Sequence, residues 1–301
     1  MSKILNWGII GCGKISHDFI KATKKCINPN KIYALAANIV YIGVQHELHK
    51  KVVLQALDIG KNVLCEKPIG VNAKEAKEMY EKAKERNLFL MEATWSRCFP
   101  AYQEIRKIIK KGTLGKVLGR DKLDGVNQGR SPINETGIYT VQFALWVIDE
   151  IPSDIFAAGD KNENGVDKWA QIILKFPSGS KATLFYSGID VSPNNAYISF
   201  EKGMIEIPGY FWCPNEIIVH KGFVNDKNPP SRPIKFPFKD DDLNYNYSHS
   251  TGLRYEADHV YDCLSSGKKF SNLHSPEDSL KVFDILDEVR EQLGVVYPQD
   301  N

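Results

Sequence analysis

The sequence predicts an α/β protein in two parts: a parallel-sheet domain over residues 1–98, shortened by one crossover, and an α+β domain with an open, mostly antiparallel sheet over residues 99–301. Two observations carry this. Up to the region of residue 98, short apolar runs alternate with helical stretches, which is how parallel strands joined by crossover helices read. Beyond it, short strands follow one another across glycine and proline turns, as in hairpins. At 301 residues, with 43% hydrophobic and 25% charged residues, the chain is long enough to bury two cores.

The first part opens with the strand "LNWGIIG" and a helix from Ser16 to Lys25. Next comes "KIYALAANIVYIGVQ", which reads as two buried strands fused end to end, Tyr33–Ala37 and Ile39–Gly43. Parallel neighbours need a crossover of about a dozen residues or more, and none fits here. The segment is expected to run extended, bent near Ala37 and Asn38, with residues 38–43 beside the first strand. The helix "HKKVVLQALDIG", the strand "NVLCEKP", the helix "NAKEAKEMYEKAKERN" and the strand "LFLMEA" follow. Asn72 is placed to cap its helix, with Glu75 three residues on as in a capping box.

In the second part "KWAQIILKFPSGSKATLFYSG" is two strands about a Pro-Ser-Gly turn, and "NAYISFEKGMIEIPG" and "NEIIVHKG" continue the sheet. Residues 225–248 read as a surface loop. The end, "HSPEDSLKVFDILDEVREQLG", is a helix with Ser275 as cap, Pro276 at its first position and Gly294 as stop. Leu280, Val282, Phe283, Leu286 and Val289 give it one apolar face.

Several classes are excluded. The formal charge of +2 is spread along the chain, and Lys24-Lys25, Lys50-Lys51 and Lys110-Lys111 read as solvated faces, so no nucleic acid is expected. No apolar run reaches the roughly 18 residues of a spanning helix, so no membrane is expected either, and the cytosol is the expected compartment. The six cysteines show no CxxC spacing, which suits free thiols better than disulfides or zinc. His46 and His49 stand one residue short of the HExxH spacing, so no metal is expected.

"WGIIGCGKISHDF" puts Gly11, Gly13 and Ser16 in the G-x-G-x-x-small pattern after a strand and at the start of a helix. Gly11 permits the tight turn, Gly13 lets a pyrophosphate approach the backbone, and the N-terminus of the helix, with Lys14 and Ile15 leading into it, attracts the anion. Cys12 there reads either as an activated thiol at a helix N-terminus or, as is more common, as a small packing residue. No acid occurs between Asp18 and Glu47 to hold the ribose of NAD, while Lys21, Lys24, Lys25 and Lys31 lie on the way, which leans towards NADP.

"VLCEKPIGVNAKEA" ends a strand on Glu66-Lys67-Pro68. A lysine at the carboxyl edge of a parallel sheet can relay a proton to or from a substrate hydroxyl, provided burial or a neighbouring cation lowers its pKa. These stretches, with "VYIGVQHELHKKVVLQALDIGKNVLCEKPIGVN", "FLMEATWSRCFPA", "GIYTVQFALWV" and "YEADHVYDCL", together resemble the Gfo/Idh/MocA oxidoreductase family over nearly the whole chain. The resemblance implies a Rossmann-type domain binding NADP, hydride transfer to or from a trans-dihydrodiol or a cyclic sugar of the D-xylose type, and a homodimer paired through the second-domain sheet. It implies Lys67 as catalytic lysine and Tyr139 as the tyrosine on the substrate oxygen, with Gly43, His46, His49 and Glu66 beside the cofactor. Trp95 and Arg97 match a WxR pattern that lines the pocket.

Two blocks that the resemblance calls for are missing. Between Ala37 and Asn38 a helix, a short strand and a second helix are absent, the roughly 30 residues or more of a crossover unit. Between Gly115 and Gly137 a strand, an arginine-bearing loop and a Gly-Gly-Gly turn are replaced by "KVLGRDKLDGVNQGRSPINET", leaving Glu135 where the family has an aspartate and Arg130 with no clear counterpart. The expectation is impaired cofactor binding. The alternative is a non-catalytic form that keeps the dimerisation sheet.

Overall fold

A computed structural model describes residues 4–33, 37–120, 124–126, 131–222, 231, 233–238 and 243–300. Contacts divide them into two units, Met1–Phe99 with Phe238–Leu280, and Pro100–Pro237 with Lys281–Asn301. The chain therefore changes unit after Phe99, beside the sequence boundary, but residues 238–280 return to the first unit rather than staying with 99–301. Among the described residues no helix is long and apolar enough to cross a membrane.

Trp7 is the residue on which the first sheet turns. It lies at the middle of β1 (Leu5–Ile10), fully buried, and its ring meets Phe19 of α1 (Lys14–Thr23) edge-on at 5.0 Å. On one side of β1 runs β2 (Asn30–Ile32), on the other β3 (Ile39–Ile42), both parallel to it. Trp7 is opposite Ile32 in the first pairing and opposite Ile39 in the second. β2 thus takes the lower half of β1 and β3 the upper half.

This answers the fused strands. A long return is needed only when two parallel strands flank the same length of a third; here β2 stops at the level where β3 begins, so a short connection is enough. The strand expected over Tyr33–Ala37 is replaced by one three residues long starting at Asn30, and residues 34–36 lie outside the described residues. The expected place of residues 38–43 beside the first strand is kept. Trp7 Nε1 donates to Asn30 Oδ1 at 2.7 Å, and the N–H of Tyr33 to the Trp7 carbonyl at 2.7 Å. Beyond the crossing, Asn6 and Asn38 exchange two hydrogen bonds, of 2.8 and 3.1 Å. Ala37 crosses against Gly8, where a Cβ would stand only 3.1 Å from its own.

From β3 the chain winds regularly through α2 (His46–Asp58), β4 (Asn62–Glu66), α3 (Ala73–Glu85) and β5 (Leu90–Ala93), giving the parallel order β2-β1-β3-β4-β5. α1 starts two residues before the expected Ser16, and α2 starts at His46. Asn72 caps α3 by accepting the Glu75 N–H at 3.0 Å, while the Glu75 carboxylate accepts from the Val71 N–H at 3.1 Å, one residue outside the capping box.

The second unit holds α4 (Pro100–Lys111), β6 (Val117–Arg120), β7 (Asp124–Val126), α5 (Ile138–Ile148), β8 (Asp154–Lys161), β9 (Asp167–Lys175), β10 (Lys181–Ser187), β11 (Ala196–Phe200), β12 (Gly203–Ile207), β13 (Glu216–Lys221) and β14 (Pro233–Lys235). The strands form one sheet in the order β14-β13-β12-β11-β6-β10-β9-β8, with β7 also on β10; among the described residues its parallel pairings are those of β6 and β7 with β10. β14 lies inside the stretch expected to be loop only. Ala170, Ile172 and Leu174 on β9 and Ala182, Leu184 and Tyr186 on β10 are fully buried on one face. The other face carries Phe156, Trp169, Ile173 and Phe185, half-buried or exposed. α6 (Leu253–Ser265) belongs to the first unit, and α7 (Pro276–Leu293) runs from the first into the second. Ser275 and Asp278 cap α7 reciprocally, the N–H of each bonded to the other's side chain at 3.0 and 3.2 Å. The expected apolar face of α7 is buried except for half-buried Leu280.

Candidate active site

The residues singled out in the first unit gather at one place, the carboxyl ends of the parallel strands. Gly11, Gly13, Lys14 and Ile15 follow β1, Gly43 and His46 follow β3, Glu66 and Lys67 close β4, and Trp95 and Arg97 follow β5. Ligands of open parallel sheets bind along this edge. Gly11 has φ 109°, and a Cβ on it would collide with the Gly43 carbonyl, so the turn is open to glycine alone. Gly13 caps α1 with no side-chain hydrogen bond and no acid in the first turn, and residues 12–14 are exposed. The opening N–H groups of α1 therefore face outward with no carboxylate competing for them, which suits a pyrophosphate. The Ser16 hydroxyl in the same turn is buried without a partner among the described residues.

Lys67 is half-buried at the end of β4, and its peptide bond to Pro68 is cis. The backbone around it is held on both sides. Glu66 accepts the Lys67 N–H at 3.3 Å and the Tyr41 hydroxyl at 2.5 Å; burial, then the Glu66 charge, pushes the Tyr41 phenol up, so it stays a donor. His49, which the resemblance sets beside the cofactor, sits in the first turn of α2, fully buried, with Nδ1 2.7 Å from the Pro68 carbonyl and Nε2 3.2 Å from that of Val44. Burial lowers its pKa against the pull of these carbonyls. A neutral imidazole donates to one of them, and either bond fixes the chain next to Lys67 or Gly43. His46 is half-buried one turn earlier, with ring centres 5.6 Å apart.

Arg97 is buried: its Nη1 lies 3.2 Å from Asp278 and 3.3 Å from the Leu273 carbonyl, and Trp95 packs edge-on against Phe99. Below them is a network that the sequence reading did not find. Burial would raise the Glu92 carboxyl, but donors from His274, Ser279 and the Ile69 N–H outweigh it and hold it below the usual range. Burial lowers His274, so a neutral ring donates Nε2–H to Glu92 at 2.8 Å. Glu256 of α6 is buried nearby with no donor on either oxygen among the described residues, and burial, with the Glu66 and Glu92 charges, pushes it well above the carboxylate range.

In the second unit Glu135 and Tyr139 are the two residues that are not buried in the run 131–147. Glu135 is in the turn Ile133–Gly137 and Tyr139 in the first turn of α5, four residues apart, so both look out on one side. Asp167 anchors this turn, accepting from the Ile133 N–H at 2.8 Å and the Ser131 hydroxyl at 3.2 Å. The Tyr297 hydroxyl also bonds to Ser131. Tyr139 has Trp212 beside it at 6.1 Å between ring centres. Asp167, Tyr297 and Trp212 were missed; the aromatic run Tyr210-Phe211-Trp212 was the available signal for the last. Arg130 lies outside the described residues.

Residues 28–94 match the family model described as the oxidoreductase family with an NAD-binding Rossmann fold, and residues 119–206 match the Gfo/Idh/MocA C-terminal domain. The trans-1,2-dihydrobenzene-1,2-diol dehydrogenases of Danio rerio and Homo sapiens are 33% and 35% identical, covering 99% and 98% of this chain and 99% of their own. The chain belongs to the Gfo/Idh/MocA oxidoreductase family. The Danio alignment runs over 341 positions against 301 residues, so at least 40 positions of that relative have no counterpart in this Gfo/Idh/MocA chain. In solved structures the same fold recurs in a levoglucosan dehydrogenase with NADH and levoglucosan, TM-score 0.82 at 16% identity, covering 97% of this chain and 98% of that one. It recurs also in an aldose-aldose oxidoreductase from Caulobacter crescentus, TM-score 0.80 at 19% identity, covering 97% and 98%.

Proposed function

We propose that the protein is an NADP-dependent dehydrogenase moving a hydride between a trans-dihydrodiol or a D-xylose-type cyclic sugar and the nicotinamide. The observation that carries this reading is the meeting of the phosphate loop and Lys67 on one sheet edge, in a chain similar over nearly its whole length to dehydrogenases named for a trans-dihydrodiol. The dinucleotide, when bound, supplies the hydride acceptor.

The chain's own residues do the rest. Gly11, Gly13, Lys14 and Ile15 receive the pyrophosphate at the start of α1, and Gly43, His46, His49, Glu66, Trp95 and Arg97 build or brace the cofactor side of the pocket. Lys67 takes the substrate's hydroxyl proton as its C–H bond breaks, and Tyr139, with Glu135 one turn before it, holds the substrate oxygen. NADP rather than NAD is supported by the end of β2, where Lys31 lies with its Nζ 4.8 Å from the Tyr33 ring and residues 30–33 include no acid to repel a 2′-phosphate. The bare aromatic face of the second sheet supports pairing with a second copy of the chain, and six free cysteines suit the cytosol.

The test is absorbance at 340 nm with NADP or NAD and, in turn, trans-1,2-dihydrobenzene-1,2-diol and D-xylose. Turnover with NADP on either substrate is expected. A protein that dimerises but reduces neither cofactor with either substrate would be the non-catalytic form, and the enzyme reading would fall.

A further inference from the structure

Asp18 is fully buried in α1, four residues after Lys14, and the proposed function makes no use of it. A buried carboxylate needs donors, and these come from a segment more than 200 residues away. The Asn246 N–H lies 2.9 Å from both oxygens of Asp18, the Asn246 side-chain amide 2.7 Å from Oδ1, and the Tyr247 N–H 3.1 Å from Oδ2. Lys21 ties the same strap to the helix, donating to the Asn244 carbonyl with its Nζ 6.0 Å from the Tyr245 ring centre. The Asn246 amide also reaches the Lys14 carbonyl and His17 Nδ1, each at 3.3 Å.

Lys14 and His17 bound the opening turn of α1, the turn whose N–H groups face outward beside Gly11 and Gly13. Within that turn the Ser16 hydroxyl is buried with no partner among the described residues. Residues 244–247 therefore lie within one side chain's length of where an anion would sit. An asparagine at position 18 would turn an NH2 group towards N–H donors and break the set.

We propose that Asp18 is a positioning residue for the dinucleotide: it pins the strap 244–247 along α1, which fixes the aim of the opening turn and makes the strap one wall of the pyrophosphate site. This rests on the dinucleotide reading above. The test titrates wild type, D18N and N246A with NADPH by fluorescence, and follows amide hydrogen exchange over 243–249 with and without NADPH.

D18N should bind NADPH roughly tenfold more weakly or worse, and N246A by about threefold, as loss of charge-assisted and single hydrogen bonds implies. The loss should appear in the KM for NADP and not in that for D-xylose, and NADPH should slow exchange across the strap. If D18N does not fold, N246A, at an exposed position, decides the matter with the exchange data. Variants that bind within about twofold of wild type, or a strap whose exchange ignores NADPH, overturn this inference alone. A wild type that binds neither NADPH nor NADH overturns the dinucleotide reading and this inference together.

Discussion

Residues 30–42, which span the first expected gap, and residues 131–147, which begin inside the second, are held in opposite ways. The first stretch is repaired by its neighbours: Trp7 serves both β2 and β3, Asn6 meets Asn38, and Gly8 leaves room for the crossing. The second is clamped from afar, by Asp167 and Tyr297. A parallel sheet can lose half a strand and keep its ladder, because each remaining residue still pairs. A turn that aims two side chains has no ladder, and distant partners must fix it.

The largest effect should come from the edge that the first stretch supports. K67M should lower kcat about a hundred- to ten-thousand-fold at saturating NADP, since Lys67 is assigned the proton transfer. Steady-state absorbance checks it, and retained turnover would move the chemistry elsewhere.

In the second stretch, D167A removes the acceptor of the buried Ile133 N–H and the Ser131 hydroxyl. A cost of about 1–3 kcal/mol per orphaned donor is expected, read as a lower Tm, with a higher KM for substrate as Glu135 and Tyr139 lose their aim. An unchanged KM would mean that the turn is held by other contacts. G8V should cost about 1–3 kcal/mol, because a branched side chain meets Ala37 where even a Cβ stands at 3.1 Å. If its Tm matches wild type, the crossing does not depend on that gap.

E256Q tests a buried acid of the first unit that, unlike Asp167, has no donor among the described residues. Its folded pKa is raised, by burial first and then by Glu66 and Glu92. As pH rises above about 4.3 the unfolded chain releases this proton and the folded chain keeps it, so the acid makes stability fall with rising pH. E256Q removes that slope: its Tm should match wild type near pH 5 and exceed it increasingly towards pH 8. A constant difference across this range would count against a protonated Glu256.

What could be read from the residues was what depends on near neighbours. The Pro-Ser-Gly turn between β9 and β10, the Ser275 cap, the glycine loop and Lys67 at the end of β4 all follow from turn chemistry, capping and period within a few residues. His49 shows the limit: its spacing from His46 was visible, but the Pro68 carbonyl that occupies its ring is 19 residues on.

By itself, then, the sequence determined the two sheets, the phosphate loop and the lysine edge, because backbone preference and hydrophobic period act locally. The tertiary structure decided how β2 and β3 share one strand, which carboxylates are clamped and which stand alone, and that Asp18 holds Asn246 and Tyr247. Those outcomes depend on burial and on donors brought from up to 229 residues away, and no local pattern encodes them.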